Sequence, residues 1–218
     1  SDVCSSDLDA VRLFESPDHL AVGWLANRER ERRHGGVTYY NHNVRLEATN
    51  VCVANCLFCS FARLKPGDPG AYTLTLEQVW DKLRRRQREP LTEIHVVNGL
   101  HPDLPFDYYT ELLRGFKRIR PEIHLKCFTA VEIAFFADLY RMTDEQVLRE
   151  LKAAGLDSLP GGGAEIFAPR VRKKICNDKC DADRYLSIHR IAHGMGMRSN
   201  VTMLYGHIET IEIGRAHV

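Results

Sequence analysis

Val44-Arg45-Leu46-Glu47-Ala48-Thr49 alternates apolar and polar residues, and after Asn50-Val51 comes Cys52-Val53-Ala54-Asn55-Cys56-Leu57-Phe58-Cys59. The first stretch has the two-residue period of a strand. The second is a C-x3-C-x2-C loop placed directly behind it. Three thiolates this close together wrap one face of a compact cluster, each on its own iron of a [4Fe–4S] cube, and leave the fourth iron without a protein ligand. Structural zinc asks for four closed ligands, usually in C-x2-C pairs, and no second pair lies at the right distance. Bacterial ferredoxin loops use C-x2-C-x2-C spacing and need a fourth cysteine.

Outward from this loop the chain keeps a rhythm. Upstream, Leu20–Arg33 has helical periodicity, with Leu20, Trp24 and Leu25 on an apolar stripe and Arg28 to Arg33 as a solvated face. Val37–Tyr40 reads as a strand. Downstream, Thr75 caps a helix to about Arg88, with Gln78 completing a capping box. Glu93–Asn98 is a strand, Phe106–Arg118 a helix and Ile123–Val131 a strand. Thr143–Ala154 is a helix with box partner Gln146 and Gly155 as its stop. Leu156–Leu159 is a short strand before Gly161-Gly162-Gly163. Helices near Ala164–Ile175 and Ala182–Met195 and a strand Ser199–Leu204 follow. Strands alternating with helices of ten or more residues imply an α/β fold with a parallel sheet, which right-handed crossovers curl toward a barrel. About five such units are visible, and the last lacks its helix. Ligands then belong at the loops after the strands.

Composition narrows the function classes. Thirty basic and 29 acidic residues leave a net charge of +1, which gives no footprint for nucleic acid. No run approaches the ~18 apolar residues of a membrane span, and no signal segment opens the sequence. Seven unevenly spaced cysteines do not read as a disulfide framework, so a reducing, cytoplasmic setting is expected. The two tips differ from their surroundings. Permitted codons for Ser1–Leu8 contain GCTCTTCCGATCT, and those for Glu212–Val218 contain its reverse complement, AGATCGGAAGAGC, familiar ends of a sequencing adapter. The expected organisation is therefore an adapter-derived tail at 1–8, a lead-in at 9–43, a barrel at 44–211 and a second adapter tail at 212–218. The natural chain is expected to continue beyond about Thr210, and Cys4 and His217 are set aside.

The cysteine loop, with the aromatic Phe58 just before its third cysteine, resembles that of the radical S-adenosylmethionine (radical SAM) superfamily. Further stretches resemble one group within it: Thr49-Asn50-Val51-Cys52, Gly70-Ala71-Tyr72-Thr73-Leu74, Asn98-Gly99-Leu100-His101-Pro102-Asp103, Phe128-Thr129-Ala130-Val131-Glu132-Ile133, Gly155–Phe167 and Ser199–Glu209. That group is the radical enzymes of the futalosine route to menaquinone. The resemblance implies a partial (β/α)6 barrel, here lacking its C-terminal units. A [4Fe–4S] cluster on Cys52, Cys56 and Cys59 would sit at the barrel mouth, with S-adenosyl-L-methionine on its open iron. It also implies an electron donor such as flavodoxin or ferredoxin. His189-Arg190-Ile191-Ala192-His193 and Met203–Glu209 look more like the aminofutalosine synthases, which add the 5′-deoxyadenosyl radical to 3-[(1-carboxyvinyl)oxy]benzoate, lose bicarbonate and give 6-amino-6-deoxyfutalosine. The alternatives are the cyclic dehypoxanthine futalosine synthases, which abstract hydrogen instead, and a non-catalytic iron–sulfur electron-transfer module.

Other residues carry expectations of their own. The backbone at Asn98 and Gly99 is expected to contact the methionyl amine of the cofactor. Gly161-Gly162-Gly163 lacks the Lys-Ser or Lys-Thr of a nucleotide-triphosphate loop and reads as a close-packed turn beneath the cofactor, with Ser158 or Glu165 reaching its ribose. Glu132 and His207 are candidates for the catalytic mouth, and Lys126, His95, His101 and Glu209 lie near strand ends. His189 and His193 have i, i+4 spacing but lack a metalloprotease glutamate between them, so they read as core or substrate-contacting residues. Cys176 and Cys180 read as ordinary thiols.

Overall fold

The computed structural model describes residues 7–210, so the second tip and most of the first lie outside the described residues. The described residues form two compact units, one of residues 7–41 with 209–210 and one of residues 42–208. In the first, α1 (Asp7–Glu15) precedes α2 (His19–His34). Asp18 caps α2 by accepting from the Ala21 N–H at 2.9 Å. The arginine run is solvated, with Glu29 accepting from both Arg32 and Arg33. Leu20, Trp24 and Leu25 remain exposed. The strand expected at Val37–Tyr40 does not form, and that backbone is irregular.

The second unit is α/β, in the order β1 (Asn43–Arg45), α3 (Leu76–Arg84), β2 (Glu93–Val96), α4 (Phe106–Ile119), β3 (His124–Cys127), α5 (Ala130–Tyr140), α6 (Asp144–Ala153), β4 (Ser158–Leu159), α7 (Pro169–Ile175), α8 (Ala182–Gly194) and β5 (Arg198–Ser199). The strands pair in parallel as β1-β2-β3-β4-β5, each beside its successor in the chain. This is the wall of a partial barrel. Thr75 with Gln78 and Thr143 with Gln146 form the expected capping boxes.

Three expectations need correction. The strand set at Ile123–Val131 stops at Cys127: Phe128 still donates its N–H to the Val96 carbonyl at 3.0 Å, but its turn to φ +60° takes the chain out of the strand beyond it. Thr129 then caps α5, a helix the alternation had hidden, and Glu132 closes a capping box on it. The helix set at Ala164 starts at Pro169, whose fixed φ and missing N–H suit the first helical position. The strand at Ser199–Leu204 narrows to Arg198–Ser199.

Register divides the sheet into two faces. Val44, Ile94 and Leu125 are lateral neighbours and are buried. One residue along each strand, on the opposite face, runs the row Arg45, His95, Lys126, Ser158 and Arg198. Within it Lys126 Nζ lies 2.8 Å from Glu93 Oε1. The apolar face continues into an aromatic cluster in which Tyr109 packs on Phe136 at 4.3 Å and on Phe128 at 5.7 Å between ring centroids.

Candidate functional site

The cysteine loop is a folded object built on backbone seams. Asn50 aligns it, receiving the Tyr72 N–H on Oδ1 at 2.8 Å and donating from Nδ2 to the Gly70 carbonyl at 2.9 Å. The Cys52 N–H donates to the Arg63 carbonyl, and the Arg63 N–H returns to the Asn50 carbonyl, both at 2.8 Å. The Arg63 guanidinium gathers the carbonyls of Ser60, Ala62 and Pro69. On the other side Val53 N–H donates to the Leu100 carbonyl and Gly99 N–H to the Thr49 carbonyl. A Cβ at Gly99 would stand 2.2 Å from the Val51 carbonyl oxygen, so no larger residue fits that seam.

Cys52, Cys56 and Cys59 line one cavity, together with residues from the loops after β2, β3 and β4. All three are free cysteines. Burial pushes the Cys52 thiol up and the Cys56 thiol up to about 11. Both therefore stay protonated at neutral pH unless a metal displaces the proton. Among the described residues no three Cys, His, Asp or Glu side chains converge as ligands of one ion would. Three thiols that line one cavity suit a polynuclear cluster, one iron to each thiolate.

The remaining lining tests the other expectations. Phe58, Asn98, Gly99, Glu132 and Glu165 all face the cavity. Asn98 is nearly buried; its Oδ1 accepts from the Ala48 N–H at 2.7 Å, while its Nδ2 is buried without a partner. A buried donor of this kind asks for an acceptor from a ligand. Glu132 is fully enclosed at the first turn of α5, not on a strand end. Its carboxylate accepts from the Asn98 N–H at 2.9 Å, the Thr129 N–H at 2.7 Å and the Thr129 hydroxyl at 3.0 Å. Burial nevertheless lifts its pKa to about 7, outweighing those hydrogen bonds. Gly162 and Gly163 supply the floor, and a Cβ at Gly163 would meet Val131 at 2.4 Å.

Two expected residues stand elsewhere. Ser158 lies in β4 outside the cavity lining, its hydroxyl 2.7 Å from His124 Nε2. It belongs to the polar sheet row, because β4 is only two residues long and the chain reaches the cavity after it. His207 is exposed and is not part of the lining. His189 is buried against Tyr185, with neither ring nitrogen hydrogen-bonded.

The segment Cys176–Asp181 carries what motif reading missed. Asp178 Oδ2 accepts from the Asn55 N–H at 2.8 Å, and the Ile175 carbonyl accepts from the Leu57 N–H at 2.9 Å, so this segment clasps the cysteine loop. Lys179 lines the cavity, bonds Glu165 Oε1 at 2.6 Å and lies 5.2 Å from the Phe58 ring centroid. Buried Arg172 donates to the carbonyls of Gly163, Ala164 and Cys180, joining the glycine turn to the clasp. No local sequence pattern signals this, because Lys179 sits in the polar run Asn177-Asp178-Lys179.

Comparison with known proteins places the chain in a family. The family described as "Radical SAM superfamily" matches residues 46–216. The chain is 46% identical over 204 residues to the aminodeoxyfutalosine synthase of Thermus thermophilus, covering 94% of this chain and 55% of that protein. It is 45% identical over 168 residues to the 5-amino-6-(D-ribitylamino)uracil–L-tyrosine 4-hydroxyphenyl transferase of Methanopyrus kandleri, covering 77% and 45%. It is 35% identical over 211 residues to the cyclic dehypoxanthine futalosine synthase of Halalkalibacterium halodurans, covering 96% and 57%. The crystal structure of methylornithine synthase superposes with a TM-score of 0.76 at 18% identity, covering 97% and 59%. The chain spans about half the length of the curated relatives it matches.

Proposed function

The chain belongs to the radical SAM superfamily, and from that premise we propose that it carries the cluster and cofactor site of an aminodeoxyfutalosine synthase. The observation that supports this most is the single cavity shared by Cys52, Cys56, Cys59 and the loops after three consecutive strands. When bound there, a [4Fe–4S] cluster and S-adenosyl-L-methionine supply a carbon-centred radical by one-electron cleavage of the sulfonium bond. The chain's own residues do the rest. Cys52, Cys56 and Cys59 would hold the cluster as thiolates, and the seam through Gly99 fixes their loop. Asn98 Nδ2 has both amide hydrogens free to offer to a bound cofactor. Glu132 keeps the Asn98 backbone in place from below. The apolar surround and the packed floor of Gly162 and Gly163 exclude water from the reacting centre.

His95, two residues before the cavity-lining Val97 on the same strand face, and its lateral neighbour Lys126 on β3 suit the carboxylates of 3-[(1-carboxyvinyl)oxy]benzoate as substrate. A reducing, cytoplasmic setting and a small one-electron protein donor complete the reading. No helix among the described residues is long and apolar enough to cross a membrane.

The test is anaerobic incubation with dithionite, S-adenosyl-L-methionine and the enolpyruvyl benzoate. The proposal expects an adduct that incorporates the deoxyadenosyl group. Release of free 5′-deoxyadenosine with dehypoxanthine futalosine supports the cyclising enzyme instead, the reading favoured by the 35% identical relative. A cluster-loaded chain that never cleaves the cofactor leaves only an electron-transfer module.

A further inference from the structure

The clasp segment brings an ion pair to the wall of the cysteine cavity. Lys179 Nζ and Glu165 Oε1 are 2.6 Å apart, and each side chain is only 14% exposed. Glu165 is held at φ +49°, its Oε1 also accepting from the Gly163 N–H at 3.2 Å and its carbonyl accepting from the Leu204 N–H at 2.9 Å. A non-glycine residue in this left-handed conformation persists only where its surroundings fix it. The pair is oriented. Lys179 stands over Phe58, the residue just before Cys59 in the loop, and shares the cavity wall with Cys56. Glu165 is anchored on the glycine side. Asp178 and Ile175, just before Lys179 in the chain, accept from the backbone N–H groups of Asn55 and Leu57, which ties the pair's segment to the cysteine loop.

We propose that Lys179 and Glu165 form a fixed dipole that sets the reduction potential of the cluster held by Cys52, Cys56 and Cys59, with Lys179 easing one-electron reduction and Glu165 opposing it. One-electron reduction by an external donor adds a negative charge inside a poorly solvated cavity. A cation held on the cysteine side lowers the free energy of that reduced state, and the carboxylate behind it limits the effect. Neither residue needs to touch substrate, so both are positioning residues. The inference rests on the cluster assignment but not on which reaction the radical serves.

The experiment is an anaerobic redox titration of the reconstituted full chain, followed by electron paramagnetic resonance in the absence of cofactor and substrate. Lys179→Met is expected to lower the midpoint, so that at the wild-type midpoint the reduced-to-oxidised ratio falls about tenfold, which for one electron is about 59 mV. Glu165→Gln is expected to raise the midpoint, and Lys179→Arg to keep it. Two shifts of the same sign, or no shift in either variant, overturn the proposal. If Lys179→Met fails to hold iron, Glu165→Gln decides alone: an upward shift supports the dipole and an unchanged midpoint removes it. Weakened cofactor affinity with unchanged midpoints would make Lys179 a ligand-binding residue and also overturns it. A wild-type chain without iron overturns this inference and the proposed function together, whereas a titrating cluster that cleaves no cofactor strikes the proposed function alone.

Discussion

Glu132, in the first turn of α5, places its Oε1 2.9 Å from the backbone nitrogen of Asn98 at the end of β2. One carboxylate thus caps its own helix through Thr129 and pins the neighbouring strand end beneath the cavity. Glu132→Gln keeps the shape but turns one acceptor into a donor among N–H groups, and the expected loss is about 1–3 kcal/mol of stability. The pH dependence has a definite sign. With its pKa raised from 4.5 to about 7, the folded state binds the proton that the unfolded state has released. The wild-type advantage over Glu132→Gln is full below pH 4.5 and is lost as pH rises through about 7. Urea midpoints of both proteins between pH 4.5 and 8 check this, and a constant difference would refute it.

Gly99 is the narrowest point of the seam between β2 and the cysteine loop. Gly99→Ala sets a methyl group 2.2 Å from a backbone oxygen that has no side-chain freedom to yield. The expected loss is about 3 kcal/mol, at the upper end for overpacking. Iron bound per chain after reconstitution is expected to fall with it, and equal iron content would show that the seam does not shape the loop.

His189 is buried with both nitrogens unpartnered, and burial, with a smaller push from His193, lowers its pKa to about 4. The unfolded state takes up a proton near pH 6.5 that the folded state refuses. Stability is therefore fully present above pH 6.5 and declines as pH falls toward 4, by up to about 1.4 kcal/mol per pH unit. Denaturation of His189→Leu is expected to show a flatter acid limb, with little change at pH 7.5.

Lys126 and Glu93 pair at 2.8 Å on the polar sheet face with little solvent on either partner. Lys126→Met strands the carboxylate, at a cost of about 3–5 kcal/mol, whereas Lys126→Met combined with Glu93→Gln is expected to recover most of it. If the row faces substrate as proposed, the double variant folds but shows a KM for the enolpyruvyl benzoate raised at least about tenfold. An unchanged KM would assign the row to stability alone.

Much of this architecture is legible in the sequence. Helix periodicity and the Thr75 and Thr143 capping boxes located α3 and α6, and the cysteine spacing marked the cavity. What escaped depended on contacts between distant segments. Phe128-Thr129-Ala130-Val131 is apolar enough to continue a strand, and only the turn at Phe128 reveals the helix start at Thr129. Ser158 seemed to flank the glycine turn in sequence, but parity along β4 sends its hydroxyl to His124. Lys179 and Asp178 look like surface charges in a polar run. Their meaning comes from 14 and 123 residues of separation to Glu165 and Asn55, which no local pattern encodes.

The most direct test of the whole account is the metal content of the anaerobically reconstituted chain, read beside Cys52→Ser, Cys56→Ser and Cys59→Ser. The expected result is about four irons and matching sulfide per chain, lost in each variant. Zinc in place of iron, or iron that survives all three substitutions, would contradict it.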